Sequence, residues 1–163
     1  MIRSAVLSLL AGVGVFACAP TQAVPAEHAW KTYTNVRYNY STCYPADALT
    51  PQPEAPDSDG RAFTAKDGAK LLVFGSNNVM ATSVKAAADQ TATRLAAGGT
   101  TSYRVIKPGW FVVSGSTPTS EFYAKSFHVG DQSKSFELTY PAAEAAKWRP
   151  IAARLNACFH TLG

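Results

Sequence analysis

Four short runs of strand-forming residues follow one another in the second half of the chain and constrain its fold more than any other feature. They cover residues 101–107, 110–114, 121–129 and 134–140. The links between them are Pro108-Gly109, residues 115–120 and Gly130-Asp131. Links this short exclude crossover connections, which need a dozen residues or more. The four runs therefore predict an antiparallel meander.

The remaining periodic segments predict further elements on both sides of the meander. Residues 36–44 alternate in polarity, which is typical of a strand, and residues 61–65 and 71–75 flank an Asp67-Gly68 hairpin turn. A cap at Asn78 or Thr82 predicts a helix to about Ala97, with Met80 on its apolar stripe, and a final helix carries Trp148 to about Phe159. This order predicts an α+β fold, in which an antiparallel sheet of about six to seven strands packs against two helices.

The first residues have the pattern of an export signal. Arg3 precedes an uncharged stretch at residues 5–19, and Thr21-Gln22-Ala23 offers a cleavage site of the small-x-small type. We assign residues 1–23 to a signal segment, 24–35 to a flexible lead-in and 36–163 to a single α+β domain. An alternative leader has Cys18 acylated as the first residue of a lipoprotein. The protein is expected in the periplasm, either soluble or anchored to a membrane only through a lipid on Cys18.

Removal of the leader leaves two cysteines, Cys43 and Cys158, which lie 115 positions apart. An even pair in an exported domain predicts a disulfide. Cys158 shares the apolar stripe of the final helix and Cys43 lies on the first predicted strand, so the bond is geometrically reasonable. The alternative is a pair of separate buried thiols.

Residues 46–60 contain three prolines and four acidic residues, a composition that predicts a long exposed loop. Long loops on rigid scaffolds often carry binding contacts. We therefore name Asp57, Asp59 and the adjacent Arg61 as candidate contacts with a partner protein.

The sequence shows no catalytic, cofactor-binding or metal-binding motif. His28, His128 and His160 are scattered, as is typical of surface or helix-cap histidines, and Gly-x-Ser-x-Gly is absent. A formal net charge of +4 without a cluster of Lys or Arg argues against nucleic acid as a partner. The paired carboxylates of a small hydrolase stay open as an alternative, because such groups meet only in the folded chain.

Several short motifs of this chain resemble those of a known group of proteins. An aromatic-rich strand ends in Tyr44-Pro45, an acidic turn has Asp59-Gly60-Arg61, and a last strand ends in Tyr140-Pro141 before a helix with Trp148. With the middle helix and the meander, this pattern resembles small exported bacterial proteins whose fold is similar to the PsbP-like α/β/α sandwich. The resemblance covers about residues 30–160. It implies that fold and a non-enzymatic accessory or binding role, and it carries over no catalytic residue.

These observations lead to two expectations from different classes. The first is a non-catalytic periplasmic or envelope protein that binds another protein, either as an accessory subunit or as an immunity protein against a periplasmic toxin. The second is a small periplasmic hydrolase with a dispersed site. Carriage of a small ligand between the sheet and a helix is a further alternative.

Overall fold

Ten strands and two α-helices form the part of the chain that the computed structural model describes, residues 27–162. The strands are β1 (Trp30–Asn35), β2 (Tyr40–Pro45), β3 (Thr50–Glu54), β4 (Gly60–Thr64), β5 (Lys70–Asn77), β6 (Thr100–Lys107), β7 (Trp110–Ser116), β8 (Ser120–Val129), β9 (Gln132–Pro141) and β10 (His160–Thr161). The helices are α1 (Val84–Ala96) and α2 (Ala145–Cys158), and a 3-10 turn (Ala142–Glu144) precedes α2. Neither helix of this part is long and apolar enough to cross a membrane. The predicted signal segment, including Cys18, lies outside the described residues.

All neighbouring strands in the two sheets are antiparallel. The central sheet has seven strands in the order β3-β4-β5-β9-β8-β7-β6, and a small sheet has the order β1-β2-β10. Strands β6 to β9 are the predicted meander, and the β4–β5 hairpin turns at Gly68 with φ of 92°. The predicted α+β class is therefore confirmed.

Two buried cores lie on opposite faces of the central sheet. One face packs against the small sheet and α2, and its core includes the fully buried rings of Trp148, Phe136 and Tyr40. The other face packs against α1, whose buried residues are the alanines Ala88, Ala92 and Ala96. Helices thus cover both faces of one sheet, which is the layering of an α/β/α sandwich.

The first predicted strand and the lead-in both need correction. Residues 36–39 form a turn between β1 and β2, and Asn39 adopts the left-handed φ of 51° that asparagine tolerates better than most residues. The alternation of residues 36–44 continues across this turn and conceals it. Residues 30–35, predicted as flexible, are strand β1 of the small sheet.

Tyr38, within this turn, lies directly on the backbone of β5. A Cβ atom placed on Gly75 would lie 2.2 Å from Cγ of Tyr38, which no side chain can accommodate without displacing the ring. Only glycine therefore fits at position 75 while Tyr38 keeps its buried position.

The predicted loop at residues 46–60 is also wrong in part, because its centre is strand β3. Of the described strands, only β4 pairs with β3, which therefore lies at one edge of the central sheet. Pro51 and Pro53 are compatible with an edge, where no second neighbour needs their missing N–H groups. The exposed turn is reduced to residues 55–59.

Helix α1 begins later than either predicted cap. The Ser83 side chain accepts a hydrogen bond of 3.1 Å from the backbone N–H of Ala86 and caps the helix, which places Met80 outside it. The helix ends at Ala96, and the next residue, Ala97, caps it with a left-handed φ of 46°, close to the predicted position. Helix α2 begins at Ala145 and carries Trp148, Ile151 and Leu155 on its buried face.

A disulfide joins Cys43 of β2 to Cys158 at the end of α2, with the two Cα atoms 5.8 Å apart. The backbone N–H of Cys43 also donates to Sγ of Cys158 at 3.0 Å. The bond ties the small sheet to the helix that covers the same face of the central sheet.

Candidate interaction surface

The three predicted contact residues lie together in the β3–β4 hairpin but face different surroundings. Asp57 and Asp59 belong to the exposed turn, whereas Arg61 lies on β4. The Arg61 guanidinium forms a 2.9 Å ion pair with Glu54 and lies 5.4 Å from the ring centroid of Tyr33. Arg61 therefore orders the hairpin from within, and the two aspartates remain as candidate contacts.

Hydrogen bonds from three other segments hold this turn in place. Asn35 donates from Nδ2 to the carbonyl of Ser58 at 3.0 Å, and the Tyr40 hydroxyl donates to the carbonyl of Asp59 at 3.1 Å. The backbone N–H of Gly75 donates to the same Asp59 carbonyl at 2.8 Å. The turn is thus a fixed part of the surface, which lowers the entropy lost when a partner binds.

The two aspartates of the turn influence one another electrostatically. Partial burial raises the pKa of Asp59 above the usual aspartate value, and the charge of Asp57 raises it further, whereas Arg37 lowers it. The ionised pair repels itself at neutral pH. A cationic group of a partner would relieve that repulsion.

Exposed aliphatic side chains surround the same end of the sheet. Within residues 27–162, five of the six exposed large hydrophobic side chains lie there, and Tyr103 on β6 is the exception. The five are Val36, Val79, Met80, Val129 and Leu162. Exposure reaches 82% for Val36, 85% for Val79 and 83% for Met80, so these side chains contribute almost nothing to the core.

Backbone hydrogen bonds show that these residues come from adjacent turns. Asn78, just before Val79, donates to the carbonyl of Asp131 in the β8–β9 turn at 2.6 Å, and Val129 precedes that turn. Leu162 donates to the carbonyl of Asn39 at 2.8 Å, beside the turn that holds Val36. We name Val36, Val79, Met80 and Val129, together with Asp57 and Asp59, the sheet-end surface.

A second feature is a cavity of about 210 Å³ between α1 and the central sheet. Its sheet wall combines the apolar ring of Phe111 with polar groups, among which Ser126 and Ser135 share a 2.8 Å hydrogen bond and Glu137 accepts from Arg94 of α1 at 3.0 Å. Nε2 of His128 is buried in this region without a hydrogen-bond partner among the described residues. Burial also lowers the pKa of His128. The prediction of a surface or cap histidine is wrong for His128.

The structure contains one arrangement that resembles part of a hydrolase site. Nε2 of His160 lies 3.0 Å from Oγ of Ser41, and Nδ1 of His160 lies 2.9 Å from the carbonyl oxygen of Cys158. Ser41 is only 4% exposed and lies in the pairing of β2 with β10, so its hydroxyl is not accessible to a substrate. In the described part of the chain, no group of three or more His, Cys, Asp or Glu residues could hold a metal ion.

Comparison with known proteins gives a likeness at the level of fold. No family model and no curated protein sequence matches the chain. The solution structure of cyanobacterial PsbP (CyanoP) from Synechocystis sp. PCC 6803 matches with a TM-score of 0.58 and 12% identity, over 87% of this chain and 98% of that one. The Saccharomyces cerevisiae Ran-binding protein Mog1p matches with a TM-score of 0.54 and 12% identity, over 83% of this chain and 97% of that one. The resemblance to the PsbP-like fold is therefore confirmed.

Proposed function

We propose that the protein is an exported, non-catalytic protein that binds another protein through the sheet-end surface. The observation that carries the proposal is the concentration of exposed aliphatic side chains on neighbouring turns at one end of the sheet. Exposed apolar residues bordered by polar ones are typical of protein interaction sites. The yeast structural neighbour is a Ran-binding protein, which supports a protein-binding role for this fold.

The chemistry of the surface indicates the kind of partner. Val36, Val79, Met80 and Val129 supply apolar contact, and Met80 adds a flexible side chain that adapts to different shapes. Asp57 and Asp59 supply negative charge on a fixed turn. The partner surface should therefore combine apolar and basic groups.

The predicted leader supports a partner in the periplasm or envelope, and the disulfide is compatible with that oxidising compartment. The partner is either a subunit of an envelope complex or a toxin whose cleft receives the turn at residues 55–59. Arg61 contributes by holding the turn through Glu54 rather than by direct contact.

Acidic substitutions in the apolar part of the surface should abolish most of the binding. Immobilised protein is used to recover its partner from an envelope extract, and the amount recovered is quantified by mass spectrometry. The double variant Val79→Glu/Met80→Glu should reduce recovery by about tenfold or more, because a buried apolar contact becomes a buried charge. Asp57→Asn/Asp59→Asn should reduce it several-fold.

A matched control places the same two charges elsewhere. Ala142 and Ala143 are exposed in the 3-10 turn after β9, at the opposite end of the central sheet from the β8–β9 turn, and Ala142→Glu/Ala143→Glu should leave recovery unchanged. Equal loss of the partner with both double variants, or no loss with either, contradicts the proposal. Circular dichroism of each variant checks that the fold is retained.

A second candidate function is carriage of a small molecule, and the unpartnered Nε2 of His128 favours it. A buried nitrogen without a partner costs free energy that a bound polar group would recover. The ring of Phe111 lies 5.8 Å from the His128 ring and gives the cavity an apolar wall. The ligand would be a small molecule with an apolar face and a hydrogen-bonding edge.

Phenol is a suitable probe of this cavity, because its hydroxyl can either donate to or accept from Nε2. We expect a dissociation constant in the range of about 1 mM, with shifted amide NMR signals at Ser126, His128 and Ser135. Ala87→Leu fills the cavity from α1 and should remove these shifts. Unchanged spectra of the original protein, or equal shifts in the filled variant, would rule this function out.

A further inference from the structure

Strand β6 leaves one edge of the central sheet open. Among the strands of residues 27–162 it pairs only with β7, and it contains no proline and is exposed along residues 100–104. The opposite edge strand, β3, carries Pro51 and Pro53, which prevent further pairing. Arg104, Lys107 and a register shift between Thr101 and Tyr103 protect part of this edge in the usual way, but the backbone of residues 103–107 stays regular and can pair with another strand. We propose that β6 of a second copy covers this edge, so that two chains form an antiparallel dimer with one continuous sheet.

The geometry of β6 limits how two copies can pair. A register shift between Thr101 and Tyr103 leaves residues 103–107 as the regular part of the strand. A two-fold axis normal to the sheet keeps the α1 face on the same side in both copies, so directly paired residues must share a face. Arg104 lies on the α1 face, since it pairs with the core residue Val113 and contacts Asp89. Tyr103, Val105 and Lys107 lie on the other face.

Charge and length then select one register. An axis at Val105 pairs the whole regular segment, with Val105 opposite its own copy, Arg104 opposite Ile106 and Tyr103 opposite Lys107. This places no like charges opposite one another, and the Lys107 ammonium lies beside an aromatic ring. An axis at Arg104 would oppose two guanidinium groups. An axis at Ile106 would pair only residues 105–107, and an axis at Tyr103 would run into the register shift.

The helices leave room for this arrangement. Helix α1 lies over β7 and borders a groove of about 690 Å³ next to β6, which is lined by Asp89, Ala92 and Ala96 of the helix and by residues 101–104 of the strand. In the dimer the two β7 strands would be three strand spacings apart, about 14 Å. That distance exceeds the 8–10 Å between packed helices, so the two copies of α1 do not collide.

Sedimentation of the full mature protein tests the dimer. We expect a concentration-dependent dimer that predominates by about 200 µM. Val105→Lys should raise the dissociation constant by at least about tenfold, because two ammonium groups would meet at the axis. Thr64→Lys adds the same charge at an exposed position of β4, on the other side of the central sheet from β6, and should leave the dimer intact. An equimolar mixture of Val105→Lys and Val105→Glu should form dimers again.

Cysteine cross-linking tests the register separately. Val105→Cys should give a covalent dimer on oxidation, because directly opposed strand residues have Cα atoms within the 4.4–6.8 Å range of disulfides. Tyr103→Cys is the matched control and should remain uncross-linked, since its opposite residue is Lys107. A protein that stays monomeric at about 200 µM overturns the proposal, and so does cross-linking through Tyr103→Cys instead of Val105→Cys. Neither result bears on the sheet-end surface, because β6 contributes no residue to it.

Discussion

Replacement of Cys43 and Cys158 by alanine should lower the free energy of unfolding by about 4 kcal/mol, within the usual range of 2–5 kcal/mol for native disulfides. The reason is the length of the loop, since the two cysteines are 115 positions apart. A cross-link across so long a segment removes many conformations from the unfolded chain. Urea unfolding followed by circular dichroism measures the difference.

The same experiment has two internal checks. The urea dependence of the free energy should become steeper in the double variant, because its unfolded chain is less compact and exposes more surface. Single replacement of Cys43 by alanine should cost nearly as much as the double replacement, because either change breaks the bond. A loss below about 1 kcal/mol would show that the loop is already restricted in the unfolded protein.

Trp148→Ala should destabilise the protein by about 3–5 kcal/mol, as is usual for a large buried aromatic residue. The Trp148 ring is fully buried and stacks on Tyr140 with 6.3 Å between the ring centroids. Its Nε1 donates to Oδ2 of Asp67 in the β4–β5 turn at 3.1 Å. Helix α2 therefore loses both packing and a polar link to the sheet.

Trp148→Phe separates the two contributions. Phenylalanine keeps most of the apolar contact but leaves Asp67 without this donor, although Lys147 still donates to the same oxygen at 2.6 Å. We expect a loss of about 1–2 kcal/mol for this variant. Equal losses for phenylalanine and alanine would mean that the hydrogen bond, and not the packing of the ring, secures the helix.

Local patterns predict the parts of this fold whose geometry is local. The meander, the Asp67-Gly68 hairpin and the buried face of α2 depend on residues within a few positions of one another. The β1–β2 turn escapes detection because Asn39 takes a left-handed conformation inside an uninterrupted alternation. Strand β3 is missed for another reason. Proline is excluded from central strands but is compatible with edge strands, and the local sequence does not show which strands lie at an edge.

The candidate surface depends on contacts between distant segments, and the sequence therefore identifies only part of it. Asp57 and Asp59 are recognisable from their turn. Val79 and Met80 lie on the surface because α1 starts after them, at the Ser83 cap. Sequence spacing alone places Met80 on the apolar stripe of that helix. The position of His128 at the wall of the cavity depends on where α1 lies over the sheet.

The close contact of Tyr38 with Gly75 links two positions of the chain that are far apart in sequence. A side chain at position 75 would displace the Tyr38 ring and, with it, the β1–β2 turn that holds Val36, so a change at position 75 requires a change at position 38. At 12% identity to a structure of the same fold, ordinary similarity is too weak to group such chains. Position 75 can therefore change during evolution only together with position 38. A tyrosine at position 38 with a glycine at position 75 is a marker that distinguishes chains with this β1–β2 turn from chains that share only the fold.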